Sequence, residues 1–409
     1  GGRSQSGSLR GRRWLSGLIV LEAAMSVILL VGAGLMLRSF TQLMDVQPGF
    51  RPEHVVAAEM PSPWQPNAGN ARDRVAAKQR YFRELLERIG ALPGIGSVGF
   101  ITGLPMGTVQ TMTLIRLEGR TPVAGEDLRV GYSSVSAGYF RTMGIRLARG
   151  RWFDPSDSAD RPMAAIINET MARHLWPNED AVGKRFTFNP NGTPPWATVV
   201  GVAGDVRNIG LRSETESQLY MNFEQQLLSP QNAAIVVRTN LDAGAVANML
   251  RTAIHAVDAQ QPVSNVTAMS QVVTDSVAQP RLYTALLAIF GGLALVLAAA
   301  GIFSVLSWTV NQRRHEIAIR VALGATSGKV IGAIMGRAVM EASVGAVAGL
   351  GGAWALSGIL KAQLYHVAPT DAVTFVGAPL VLVGVAAVAA WLPARRASRM
   401  DPAGALGSE

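Results

Sequence analysis

The chain contains no cysteine. Disulfides, cysteine-based zinc sites and thiol catalysis are therefore excluded, and the absence identifies no compartment. Charge is also scarce, at 16% of residues, and aromatics make up 6%. The five histidines (His54, His174, His255, His315 and His366) are dispersed. His315-Glu316 lacks the second histidine of an H-E-x-x-H zinc site, and no G-x-S-x-G nucleophile elbow is present. The nearest approach to a phosphate-cradling loop is GATSGKV at 324–330. It has three residues between its glycines where the motif has four, and Val330 stands where a magnesium-binding hydroxyl belongs. No catalytic constellation, metal site or cofactor is expected.

Acidic residues are missing from particular places. Residues 41–280 hold 22 Lys and Arg against 22 Asp and Glu, whereas the rest of the chain holds 15 against 6. The whole formal charge of +9 therefore lies outside the central block. Nucleic-acid binding calls for a basic face on a globular domain. Here the arginines sit beside long apolar runs, which excludes nucleic acid as a partner and points to the bias that keeps basic loops inside a membrane.

What is present in quantity is apolar sequence, 49% of the chain. Four runs, at 14–37, 282–310, 330–360 and 373–392, are each long enough to cross a hydrocarbon core of ~30 Å at about 1.5 Å per helical residue. Membrane lipid is thus the first expected partner. Arg10, Arg12 and Arg13 precede the first run and place its start inside; Arg395, Arg396 and Arg399 follow the last. Both termini fall on the cytoplasmic side, with 41–280 and a short loop at 361–371 outside. Residues 1–13 read as a linker and 402–409 as a tail.

Three features interrupt the apolar runs. Glu22 lies about 12 Å along the first run from Trp14, and an acid at that depth should face protein or the interface. Arg337 and Glu341 are spaced to pair on one helix face. Gly332/Gly336 and Gly345/Gly349 form two small-x-x-x-small pairs that permit close helix packing in lipid. The first helix is expected to pack on the third, bringing Glu22 near Arg337 or another polar neighbour.

The central block reads as α+β. Strand patterns at 54–60, 95–102, 233–238 and 263–269 bracket two amphipathic helices, 71–92 and 243–257. In the first helix Val75, Phe82, Leu85, Leu86 and Ile89 share a face; Asp242 is positioned to cap the second. Two βαβ units at the block's ends suggest one split lobe, about 50–104 and 230–280. A β-rich lobe at about 105–229 is inserted between them, with strands at 112–117, 164–167, 197–206 and 218–222. Asn168 is placed to cap a short helix ending near Trp176-Pro177.

Between the second and third runs lies QRRHEIAIRVALGA, residues 312–325. Arg314, Glu316, Ile317, Arg320, Ala322, Leu323, Gly324 and Ala325 resemble the R-x-E-I-x-x-R-x-A-L-G-A signature of FtsX-like permeases, the membrane half of MacB-type ABC systems. Ala318 and Val321 depart mildly from that pattern. The string GIRLARGRWFD at 144–154, Ile167-Asn168-Glu169, and Val199-Val200-Gly201-Val202 resemble texts of the MacB-type periplasmic region. The one-plus-three order of helices, GAGLMLRSF at 32–40 and the basic ending are also similar, most of all to the second half of a duplicated orphan permease.

The resemblance implies a multi-pass bacterial inner-membrane protein with a large periplasmic domain, followed by an FtsX-like permease domain at 281–401. It also implies a separate ABC ATPase in trans and pairing with a second permease unit. Arg313, Arg314, Glu316, Ile317, Arg320 and Gly324 are then the expected motor-contact residues. A signalling or scaffold protein that regulates an envelope enzyme is the alternative from a different class.

Overall fold

A computed structural model describes residues 6–61, 70–107, 111–120, 128–226, 232–312, 319 and 326–398. Arg313, Arg314, Glu316, Ile317, Arg320 and Gly324 lie outside the described residues. The chain divides into two compact units: Val46–Ala278 is one, and Gly1–Asp45 with Gln279–Glu409 the other.

The Val46–Ala278 unit has two lobes on one continuous sheet. The first contains β1 (Val55–Pro61), α2 (Ala71–Gly90), β2 (Ile95–Ile101), β10 (Asn232–Thr239), α5 (Ala243–Val257) and β11 (Asn265–Ala268). Its strand order is β11-β1-β10-β2, every neighbour antiparallel. The two strands of each βαβ unit therefore leave room for one strand of the other between them, which is the split arrangement. Asn70 caps α2, accepting from the Asp73 N–H at 3.0 Å, and the Asp73 carboxylate reaches back to the Asn70 N–H. Asp242 caps α5 through the Gly244 N–H at 2.9 Å. Phe82, Leu85 and Ile89 of α2 and Val246, Leu250 and Ile254 of α5 pack on Val56, Ala58, Phe100, Ile235 and Val237 of the sheet. This burial of apolar faces is what holds helices to strands.

The second lobe is inserted between β2 and β10. It contains β3 (Thr111–Leu117), β4 (Leu128–Val135), α3 (Tyr139–Met143), β5 (Leu147–Gly150), β6 (Met163–Asn168), α4 (Glu169–Leu175), β7 (Arg185–Thr187), β8 (Ala197–Ala203) and β9 (Gln218–Asn222). The order β4-β3-β7-β8-β6-β9 closes on itself because β9 pairs β4 in parallel. Closure leaves those six strands without an open edge. Val130, Tyr132, Ile167, Phe186, Val199, Leu219 and Met221 belong to its core. The lobes join where Ile101 opposes Val135, flanked by Thr102 N–H to Ser134 O and Ser136 N–H to Phe100 O, both 3.0 Å.

The other unit is helical. Its elements are α1 (Ser6–Met44), α7 (Ala278–Gln312), α8 (Ser327–Leu360) and α9 (Ala372–Ser398). A short helix, α6 (Met269–Ser276), precedes α7. All four long helices have the length and composition to cross a membrane. All four begin earlier than the apolar runs: α1 is helical from Ser6, within the stretch read as linker, α7 from Ala278, α8 from Ser327 and α9 from Ala372. Large apolar side chains such as Leu21, Met25, Leu293, Val347 and Val388 face outward, the surface that a bilayer covers.

Candidate functional site

The four-helix unit is built on α1. Its register with α8 is parallel: Ser16 meets Arg337 and Glu341, Ala23 lies at Gly345, Ala24 and Val27 at Gly349, and Ile28 at Gly352. With α7 and α9 it runs antiparallel. Glu22 faces Gly301, Ser26 Oγ donates to the Ala294 carbonyl at 3.0 Å, and Leu30 and Ala33 lie at Gly291. Gly34 abuts Thr374 of α9.

The four glycines of α8 separate into two kinds. A Cβ at Gly345 would lie 2.5 Å from the Ala23 Cβ and 2.8 Å from the Val20 carbonyl oxygen; at Gly349 it would lie 2.6 Å from the Ala24 carbonyl oxygen. Glycine there lets two backbones touch, the contact on which association in lipid depends. Gly332 and Gly336 have nothing within 4 Å of an added Cβ. The expected packing role has no counterpart for them among the described residues.

Of the intramembrane charges, Arg337 and Glu341 pair as their spacing predicts, whereas Glu22 lies elsewhere. Arg337 Nε donates to Glu341 Oε1 at 3.0 Å, and Ser16 Oγ donates to the same oxygen at 2.9 Å. Arg337 Nη2 lies 3.4 Å from Ser16 Oγ. Glu22 is not part of this group. The correction has a geometric reason: Ser16 precedes Glu22 by six residues, about 9 Å along the helix, and Ser16 takes the place at Arg337. The Glu22 carboxylate lies against Gly301, where an added Cβ would come within 2.5 Å of Oε2.

At the end of the bundle where the chain passes into the other unit, α1 is latched to the loop before α9. Arg38 pairs with Asp371, which also accepts from the Thr374 N–H at 2.9 Å and hydroxyl at 2.8 Å. Burial raises the Asp371 pKa, but the Thr374 and Arg38 hydrogen bonds outweigh it and hold the carboxyl below its ordinary range. The Tyr365 N–H donates to Ser39 Oγ at 2.8 Å.

The opposite, free end carries exposed Trp14, Trp308 and Trp391. Trp14 is eight residues before Glu22 and Trp308 seven after its neighbour Gly301; Ala390 packs with Ile19 and Ala338 in one cluster. The three indoles therefore share a height to within about one turn, as an interfacial aromatic belt does.

In the Val46–Ala278 unit, the strings singled out by the sequence meet one another. Gly150, at φ +72°, lies on β8, where an added Cβ would be 2.3 Å from the Val200 carbonyl oxygen. Gly201 lies back on Arg151, with 2.3 Å to that residue's carbonyl oxygen. Arg151 makes two bonds to the buried Asp157, at 2.7 and 2.8 Å, and one to Asp154 at 2.9 Å. Hydrogen bonds from the Ser156 hydroxyl and N–H, and the Arg151 charge, hold the Asp154 carboxyl below its usual range. Asn168 caps α4 by accepting from the Met171 N–H at 2.9 Å. The same oxygen accepts from the Gln218 N–H at 2.9 Å, and Asn168 Nδ2 donates to the Glu216 carbonyl at 2.8 Å. These residues fix loops and strand ends.

A cleft of about 630 Å³ lies beside α4, lined by Arg149, Glu169, Arg173, Trp176, Glu179 and Asp180 among others. Its charged groups are largely satisfied internally: Arg173 pairs with Asp205, Arg146 with Glu169 and Lys184 with Glu179. Among the described residues, no three His, Asp or Glu side chains converge as a metal site.

Comparison with known proteins places this geometry. The family model for the MacB-like periplasmic core domain matches residues 15–257, and that for the FtsX-like permease C-terminal region matches 288–402. A probable syringafactin export ATP-binding/permease protein of Pseudomonas syringae is 25% identical over 75% of this chain and 48% of its own length. The uncharacterized ABC transporter permease YknZ of Bacillus subtilis is 23% identical over 69% of this chain and 71% of its own. The periplasmic region of MacB from Actinobacillus actinomycetemcomitans aligns over 57% of this chain and 97% of that one, at 13% identity and a TM-score of 0.38. The chain spans about half the length of the export relatives it matches.

Proposed function

This chain belongs to the family of permeases with a MacB-like periplasmic core domain and an FtsX-like C-terminal region, and from that premise we propose that it is the membrane subunit of an ABC-type export or mechanotransmission system. ATP hydrolysis takes place on a separate subunit and displaces the segment 312–325. The bundle carries that displacement to the extracytoplasmic domain, which acts on a substrate or partner. Both termini and 312–325 lie in the cytoplasm, and two permease units work as a pair.

The observation that carries the reading is the continuity of α7. It runs 35 residues from Ala278 at the domain junction to Gln312 at the signature segment, a rod of about 52 Å. A helix transmits axial displacement because each turn is braced by its own backbone bonds. Where it passes α1, α7 is held by Ser26, by the Gly291 contact and by the Thr284 hydroxyl, 3.4 Å from the Met36 carbonyl.

The test is a Glu316→Arg exchange in the full chain. It is expected to abolish stimulation of the partner ATPase and its co-purification while leaving the permease folded in the membrane. Stimulation and co-purification at wild-type levels would overturn the assignment of 312–325 as the motor contact.

A further inference from the structure

The free end of the bundle carries exposed cations. Lys329 on α8 and Arg395 and Arg396 on α9 are exposed. Among the described residues, none of the three has a carboxylate partner. The neighbouring Arg337, by contrast, is neutralised by Glu341. In the Val46–Ala278 unit, Arg83, Arg146, Arg151, Arg173 and Arg185 are each matched to an acid.

Its height is defined. Ala338 and Ala390 pack in one cluster, and α8 and α9 run antiparallel. Counting outward from that contact brings Lys329 and Arg395–Arg396 to adjoining turns of the two helices. Both lie within about 15 Å of the Trp14–Trp308–Trp391 level. The Arg395 guanidinium lies 5.1 Å from the Trp391 ring centroid, so this side chain lies back along α9 toward the belt. An indole at that level sits among lipid headgroups, and the lipid phosphates lie beside it.

We propose that Lys329, Arg395 and Arg396, with Trp391, bind the phosphodiester headgroup of an anionic phospholipid of the leaflet at the free end. The guanidinium fork matches a phosphate's paired oxygens. The indole face steadies Arg395 in that orientation. A zwitterionic lipid offers the same phosphate with a compensating ammonium, so the preference is for net negative headgroups. The proposal rests on the reading of this end as cytoplasmic, where anionic lipid draws basic juxtamembrane residues, at about 1 kcal/mol each.

The test uses the full chain purified alone, without an ATPase. Native mass spectrometry after extraction from bilayers containing phosphatidylglycerol and phosphatidylcholine counts the lipids retained. Bound phosphatidylglycerol is expected over phosphatidylcholine. Arg395→Gln, Arg396→Gln and Lys329→Gln should each weaken its retention about fivefold, the equivalent of about 1 kcal/mol, and the triple variant about a hundredfold. Arg395→Lys should recover only part of it, because an ammonium keeps the charge but lacks the two-pronged contact. Arg88→Gln, in the other unit, controls for general loss of charge.

Equal retention of the two lipids, or wild-type retention by the triple variant, would overturn the proposal. So would competition by millimolar inorganic phosphate, which would make the site one for a free anion. Rescue of lipid-stripped protein by an acidic partner protein alone would assign the cations to a protein surface and overturn it as well. Because the chain has no cysteine, Ser327→Cys gives a single label whose accessibility reports the sidedness separately. Loss of ATPase stimulation leaves the lipid measurement untouched.

Discussion

Alanine at Gly345 and Gly349 is expected to loosen the bundle, whereas alanine at Gly332 and Gly336 in the same helix is not. The obstruction at Gly349 is the Ala24 carbonyl oxygen, 2.6 Å from the new methyl, with the Ala24 Cα at 3.0 Å. Backbone cannot rotate away as a side chain tip can, so α1 and α8 must separate. Overpacking of this kind costs about 1–3 kcal/mol per site, or about 2–6 kcal/mol for the pair if the sites add. Gly332 and Gly336 meet nothing among the described residues, and their replacement removes the flexibility that makes glycine unfavourable in helices, a gain of about 0.5–1 kcal/mol each. The assay is reversible unfolding of the intact chain in mixed micelles of increasing SDS fraction. Gly345→Ala/Gly349→Ala should unfold at a lower fraction than wild type, and Gly332→Ala/Gly336→Ala at the same or a higher one. Coincident midpoints for the two double variants would refute the argument that α1–α8 contact rests on backbone apposition at one glycine pair.

Two further outcomes follow from single side chains. Asn168→Ala removes a helix cap worth about 1 kcal/mol and takes away the side-chain oxygen that accepts from the buried Gln218 N–H, at a further cost of about 1–3 kcal/mol. A fall of about 5–10 °C in the thermal midpoint of the intact chain, read by near-ultraviolet circular dichroism, is expected for a unit of this size. Asp371 has its carboxyl held below the ordinary range, so its stabilising contribution is complete above the unfolded value near pH 4 and disappears as pH falls through the lower folded value. Thermal midpoints measured from pH 7 down to 3 should show an acid-side loss in wild type that is smaller in Asp371→Asn.

The membrane helices were legible because a bilayer demands some 20 consecutive apolar residues, and composition alone reveals such a run. Their ends were not legible. The Ser6–Arg13 stretch is polar and reads as linker, yet it continues α1. In the central block, α2 and α5 and the strands they pack on followed from strong periodicity. The β4 strand, LRVGYSSV, did not, since Gly131, Ser133 and Ser134 interrupt the alternation that marks a half-buried strand. β5 and β7 span four and three residues, too few for any pattern. The ring's closure depends on β4–β9 pairing between segments some 90 residues apart, which no local signal encodes.

Within the bundle, the spacing of Arg337 and Glu341 announced their pairing, but the third member, Ser16, is 321 residues from Arg337. The glycine strings GIRLARG and VVGV were visible as motifs without a reason. The reason is that β5 and β8 lie backbone against backbone, so Gly150 and Gly201 each vacate the space the other strand's carbonyl occupies.

Ile101, at the end of β2, opposes Ala234, near the start of β10. The entrance and exit of the inserted lobe therefore sit on adjacent, antiparallel strands, the spacing a tight hairpin would bridge. Such an attachment lets natural variation exchange, enlarge or delete the closed ring without solving the parent sheet anew. Variation can accumulate in this detachable cassette while the sheet that carries it stays unchanged.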